Sequence, residues 1–153
     1  MPYRNHLVEQ SAQLTCERIN RHVANHGGNQ LNTSFEHFGK NALSIVTFNY
    51  DRVVEYFFFT SLKNSYGKDD RECAAVLDKI PIVHLHGRLG YLPWQNVNAK
   101  SRPFQPIVDG RALHISVDNL KIIHEDISGE QDQDFKTARR LLSEAQHVYL
   151  MGF

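Results

Sequence analysis

The sequence predicts an α/β domain, a parallel sheet with flanking helices, on three observations. A β-branched apolar run, Ile45-Val46-Thr47-Phe48, stops abruptly at Asn49 and Asp51. Helical spacing follows at once through Val53, Val54, Tyr56, Phe57 and Leu62. A second β-prone run, Ile80-Pro81-Ile82-Val83-His84-Leu85, comes after it. Strand, helix, strand is the order of a right-handed parallel crossover. Polar groups at the carboxyl end of the first strand point to a ligand site. In open α/β sheets the loops leaving that edge converge on a crevice, and the next helix aims its positive N-terminus into it.

In chain order, Val8, Ala12, Cys16, Ile19 and Val23 fall on one helical stripe, and Gly27-Gly28 ends that helix by offering a left-handed C-cap. From Asn29 the composition turns polar. Asn32-Thr33-Ser34 can cap a short turn through Phe35 and Phe38 before Gly39 breaks it. Residues 42–48 are the first strand and residues 80–85 its companion. Between them lie a helix to about Leu62, a turn at Gly67-Lys68-Asp69 and a helical piece from Glu72 to Leu77.

After His86-Gly87-Arg88-Leu89-Gly90-Tyr91 an irregular excursion over residues 91–130 carries Pro93, Pro103, Pro106 and Gly110. Within it Leu113 to Ser116 reads as a short strand and Val117 to His124 as a turn of helix, and Ser128-Gly129 starts an acidic linker. A helix capped by Asp132 or Asp134 follows, with Phe135, Ala138, Leu141, Leu142 and Ala145 on one face and Arg139 and Arg140 opposite. His147 to Phe153 reads as a further buried strand, ending where a parallel sheet normally feeds another loop and helix. The expectation is one partial domain over residues 1–153: a helical segment over residues 1–40 and a core over residues 42–153.

With 17 basic and 17 acidic side chains the formal net charge is zero, and the basic residues are scattered, so a nucleic-acid partner is not expected. A membrane partner is not expected either. The most apolar window, Val53 to Phe59, is interrupted by Glu55 and falls far short of the roughly 20 residues that cross a bilayer. The N-terminal residues lack the apolar core of a signal peptide. Two cysteines, Cys16 and Cys73, form neither a disulfide framework nor a metal knuckle, and a reducing cytoplasm is the expected setting. His22 and His26 share a helical face, but Cys16 lies well around the helix, so no metal site is expected. Cys73, beside Glu72 with only Arg71 as a nearby cation, is a poor nucleophile, and Phe57-Phe58-Phe59 and Trp94 read as core or as cover for the site.

The candidate chemistry lies at the two strand ends. Residues alternate sides along a strand, so His84 and His86 are expected on one face, with Gly87 leaving room for something to approach the backbone. An imidazole titrates near neutrality and is a usual acceptor for the proton of a sugar hydroxyl or a water. His86 reads either as that base or as a hydrogen-bonded strand-end residue. Asn49 and Asp51 occupy the same end of the neighbouring strand, so an amide, a carboxylate and an imidazole can converge in one crevice. Asp51 reads equally as the N-cap of the following helix.

Thr47-Phe48-Asn49-Tyr50-Asp51, followed by Val83-His84-Leu85-His86-Gly87, resembles the T-x-N-x-D and H-G motifs of the sirtuin superfamily, most closely its bacterial SIR2-like branch. Leu150-Met151-Gly152-Phe153 resembles that branch's final strand running into Gly-Phe or Gly-Tyr. The resemblance implies a Rossmann-like NAD-binding domain that cleaves the bond between nicotinamide and ribose. It implies that His86 is the base on the ribose hydroxyls, that Asn49 orients ribose or water, and that Asp51 contacts the carboxamide. Thr47, Gly87 and Gly152 fall on the motif positions that line the cofactor. The branch lacks the four-cysteine zinc module of lysine deacylases, as this sequence does, which implies NAD hydrolysis, in some members as a defence against phage. A homo-oligomer, or attachment to further domains, is the implied assembly.

Two departures stand out. The family's glycine-rich G-A-G-x-S phosphate loop has no counterpart before Asn49, since Gly27-Gly28 follows a helix and Gly39 falls outside any phosphate-loop spacing. The loop beyond Gly152-Phe153 is also missing. The expectation is therefore either a piece of a longer protein or a scaffold that has kept the fold and lost the nucleotide site, with no turnover of NAD by the isolated chain.

Overall fold

The computed structural model describes residues 34–95, 101–105, 109–121 and 132–150. The predicted N-terminal helical stripe, the Cys16, His22 and His26 group, and Gly152 lie outside the described residues. The described residues form a mixed α/β structure with a parallel sheet of two strands, and the chain divides into two compact units. None of the helices among the described residues is long and apolar enough to cross a membrane.

The first unit holds residues 34–42 and 53–79 of the described set. The short turn expected at Phe35 is helix α1, Phe35–Phe38; Ser34 sits at its cap position, but the hydroxyl shares a hydrogen bond with His37 Nδ1 (2.7 Å) instead of capping the helix. Helix α2, Val53–Tyr66, buries Glu55, Phe58, Phe59 and Leu62, a one-stripe spacing of three, one and three residues. Gly67, with φ of 61°, ends it, its amide donating to the Lys63 carbonyl (2.9 Å). Helix α3, Asp70–Leu77, starts on a capping box in which Asp69 accepts from the Glu72 amide and the Glu72 carboxylate accepts from the Asp69 amide. Cys73, Val76 and Leu77 of α3 are buried, and the rings of Phe38 and Phe58 meet edge-on at 6.2 Å. Burial pushes the Cys73 thiol above its ordinary pKa, in line with an inert core cysteine.

The second unit holds residues 43–52 and the described residues from Ile80 onward. Strand β1, Ile45–Thr47, pairs in parallel with β2, Ile82–His84, matching Ile45 to Ile82, Val46 to Val83 and Thr47 to His84. Both are shorter than the runs at 42–48 and 80–85, and β1 is half-buried. The Ile45 amide donates to the Pro81 carbonyl (2.8 Å), so pairing starts beside a residue with no amide of its own.

Helix α4, Gly110–Asn119, replaces the strand expected at Leu113 to Ser116. Asp109 caps this helix by accepting from the Ala112 amide (2.6 Å), and the buried set is Ala112, Ile115 and Ser116, a helical spacing. Helix α5, Gln133–Glu144, begins on Asp132 as expected. Its Ala138 packs with Val83 and Leu85, with Val46, Phe135 and Leu141 around them. Leu142, assigned to that face by spacing, is half-exposed at 49 %.

The final strand is a correction. Residues 147–150 have no strand structure; Val148 is 53 % and Leu150 96 % exposed. Val-Tyr-Leu favours a strand only when a neighbouring strand takes up its backbone groups, and sequence pattern cannot supply that neighbour.

Candidate functional site at the carboxyl edge of the sheet

The parallel register places the ends of both motifs at one edge. Thr47 closes β1 opposite His84, which closes β2, and the chain turns immediately beyond each. The Thr47 hydroxyl accepts the Asn49 amide (3.0 Å), and the Asn49 carbonyl receives Nδ1 of His84 (2.7 Å). A carbonyl only accepts, so Nδ1 of His84 carries the hydrogen. Next along, the Tyr50 carbonyl accepts the Leu89 amide (2.9 Å), joining the segment after β1 to the segment after β2. Asn49 is exposed, and among the described residues its carboxamide makes no hydrogen bond.

His86 is not on a strand with His84. β2 ends at His84, and Leu85 and His86 form a turn, so the expected shared face does not exist: His84 is 1 % exposed and His86 half-buried. The His86 ring touches Phe48 (centroids 5.8 Å apart) and Phe135 (6.4 Å), while its carbonyl accepts the Lys121 amide (3.0 Å). Gly87 has φ of 76°, and a Cβ there would lie 2.0 Å from the Asn119 carbonyl oxygen. The group that approaches this glycine is therefore the chain itself, through an antiparallel bridge to Leu120 and the Arg88 amide on Asn119 O (3.0 Å). Asp51 is half-buried and lies two residues before the first residue of α2, one position further out than a cap.

Arg52, unremarked in the sequence, is 4 % exposed. Nη1 donates to the carbonyls of Arg102 (2.7 Å) and Tyr91 (3.3 Å) and Nη2 to that of Pro103 (3.2 Å), with the Phe104 ring 5.9 Å away. The Arg102 side chain reaches on to Ser116 Oγ (2.8 Å), which itself donates to the Ala112 carbonyl. One guanidinium thus organises the stretch that sequence pattern left irregular. A cation next to a ligand motif gives no signal of which backbone it holds.

At the far side of the His86 turn, Lys121 bonds both Asp132 (2.7 Å) and Asp134 (2.6 Å). Burial works to lower the Lys121 pKa, but the hydrogen bonds it donates to the two carboxylates, with their charge, outweigh it and hold the ammonium above its ordinary value. The same Lys121 bond, against some desolvation, holds Asp132 below its ordinary value.

Thr47, Asn49 and His84 are joined by hydrogen bonds, and His86 is joined to Phe48 by ring contact; Asp51 follows on the same segment. Among the described residues no group of His, Cys, Asp and Glu is arranged to hold a metal ion. A shallow depression on α4, lined by Gly110, Leu113, His114, Val117 and Asp118, includes none of the predicted site residues. No family model, curated protein or solved structure matches this chain.

Proposed function

We propose that the carboxyl edge of β1 and β2 is the nicotinamide-ribose side of an NAD site, on a Rossmann-like scaffold of the SIR2-like NAD glycohydrolase kind. In a protein carrying the complete domain, cleavage of the nicotinamide-ribose bond would deplete NAD, the activity used against phage in the family this sequence resembles. The observation that carries the reading is the register of Thr47 with His84, since it brings the T-x-N-x-D and H-G segments out of the sheet side by side.

The residues fit the ribose side of the ligand. The exposed Asn49 carboxamide offers both a donor and an acceptor to a ribose hydroxyl or a water, and His86 offers a ring nitrogen that can take a hydroxyl proton. Asp51 would meet the carboxamide. Gly87 fits less well, because the Asn119 carbonyl fills the space beside it. No glycine-rich phosphate loop accompanies the edge in this sequence, so the 153-residue chain is expected to bind without turnover.

Titrating NAD into the isotope-labelled full chain tests the reading by NMR. Shifts confined to Asn49, Tyr50, His86 and their neighbours are expected, and an unchanged spectrum at millimolar NAD would sink it. Nicotinamide release that disappears in His86→Ala would overturn the expected lack of turnover.

A second reading, a nucleotide-binding or subunit-joining module without chemistry, is favoured by the packing of His86 against Phe48 and Phe135. It predicts that His86→Ala lowers the melting temperature while leaving NAD affinity unchanged.

A further inference from the structure

We propose that His84 is a positioning residue, which fixes the backbone from which Asn49 presents its carboxamide at the sheet edge. The inference rests on reading that edge as a ligand site.

Asn49 lies two residues past the end of β1, where the strand ladder no longer supplies partners. Backbone groups in such a place ordinarily turn to water and let the residue swing. Here both are held by side chains from the last register pair: the Thr47 hydroxyl takes the amide and the His84 ring takes the carbonyl. The amide and carbonyl are thereby fixed without using the Asn49 side chain, which stays exposed.

The identity of residue 84 makes sense on these terms. Ile82-Val83-His84-Leu85 is an apolar run with a single polar member, and that member is 1 % exposed between Val83 at 6 % and Leu85 at 5 %. Burying an imidazole is costly unless its polar atoms are bonded, and a leucine here would have no such demand. Its Nδ1 bonds the backbone carbonyl of Asn49 itself, and so restrains the peptide that follows the Asn49 side chain. The predicted base, His86, has no part in this.

The test uses the full chain. Long-range proton–nitrogen spectra of the histidine rings are expected to show His84 protonated at Nδ1; a hydrogen-free Nδ1 overturns the proposal without any ligand. In NAD titrations His84→Phe, which keeps a ring but no donor, is expected to weaken binding about five- to tenfold and to abolish the shift of the Asn49 carboxamide. His84→Asn, whose amide nitrogen falls near the position of Nδ1, is expected to restore both, whereas His84→Gln is not.

Wild-type affinity in a folded His84→Phe protein, with NAD still shifting Asn49, overturns the positioning role alone. Equal weakening in the Asn and Phe variants also overturns it, since the effect would then be packing. An NAD-silent wild-type chain overturns the ligand reading of the edge and the proposal with it. If His84→Phe does not fold, the ring-nitrogen spectrum and the Asn-against-Gln comparison decide.

Discussion

Arg52 carries more of the second unit than its place beside Asp51 implied. Its guanidinium is buried and saturates backbone carbonyls from residues 91, 102 and 103, a task that suits a planar group with five fixed donors. Arg52→Met would keep most of the apolar stem and remove every donor, leaving those carbonyls without this partner. The expected loss of unfolding free energy is about 3 kcal/mol by urea titration. Arg52→Lys keeps the charge but cannot span the same carbonyls, so it should recover only a minor part. A Met variant within about 0.5 kcal/mol of wild type would show that the carbonyls are satisfied without Arg52.

At the scale of the element, α5 shows how one residue serves two demands. Asp132 accepts the amides of Asp134 and Phe135 at the helix N-terminus and also receives Lys121. The pH dependence follows from the two shifts. Asp132 is lowered in the folded state, so its contribution is present above the ordinary carboxylate value of 3.8 and is lost as pH falls through the lower folded value. Lys121 is raised, so its contribution is present below 10.5 and is lost as pH rises through the higher folded value. Asp132→Asn retains a good cap and removes the charge, so it is expected to flatten the acid limb of a stability–pH curve with only a small change in helix content. Asp132→Ala removes both, at an additional cost of about 1 kcal/mol. Identical acid limbs in wild type and Asp132→Asn would refute this account.

At the scale of the molecule, the parallel pairing of residues near 45 and 82 was legible, because β-branched runs flank a stretch of helical period. The start of α5 was legible from its capping residue and apolar stripe. What was not legible had two separate causes, a cap close by in sequence and a pairing partner that pattern cannot supply. Leu113 to Ser116 joined a helix because Asp109 caps it, and residues 147–150 pair with no strand among the described residues. The candidate site was legible as a location and less so in its wiring: Asn49 and the His86 turn do share the edge, but the histidine bonded to Asn49 is His84. Gly87 looked like room for a ligand, whereas its space is taken by Asn119.

The two units are also interleaved along the chain, with residues 53–79 of one falling between β1 and β2 of the other. That order has a kinetic consequence. The helical pair α2–α3 is made from near neighbours and can form early, while β1 and β2 meet only after the intervening chain has closed a long loop. The sheet edge, with Thr47 and His84 in register and Asn49 just beyond, is thus expected to assemble late in folding. Val83→Ala is expected to act mainly on the unfolding rate, and Phe58→Ala mainly on the folding rate, in stopped-flow chevrons. The reverse partition would mean that the strands meet first, and that a nascent chain acquires its sheet edge before the helical pair is in place.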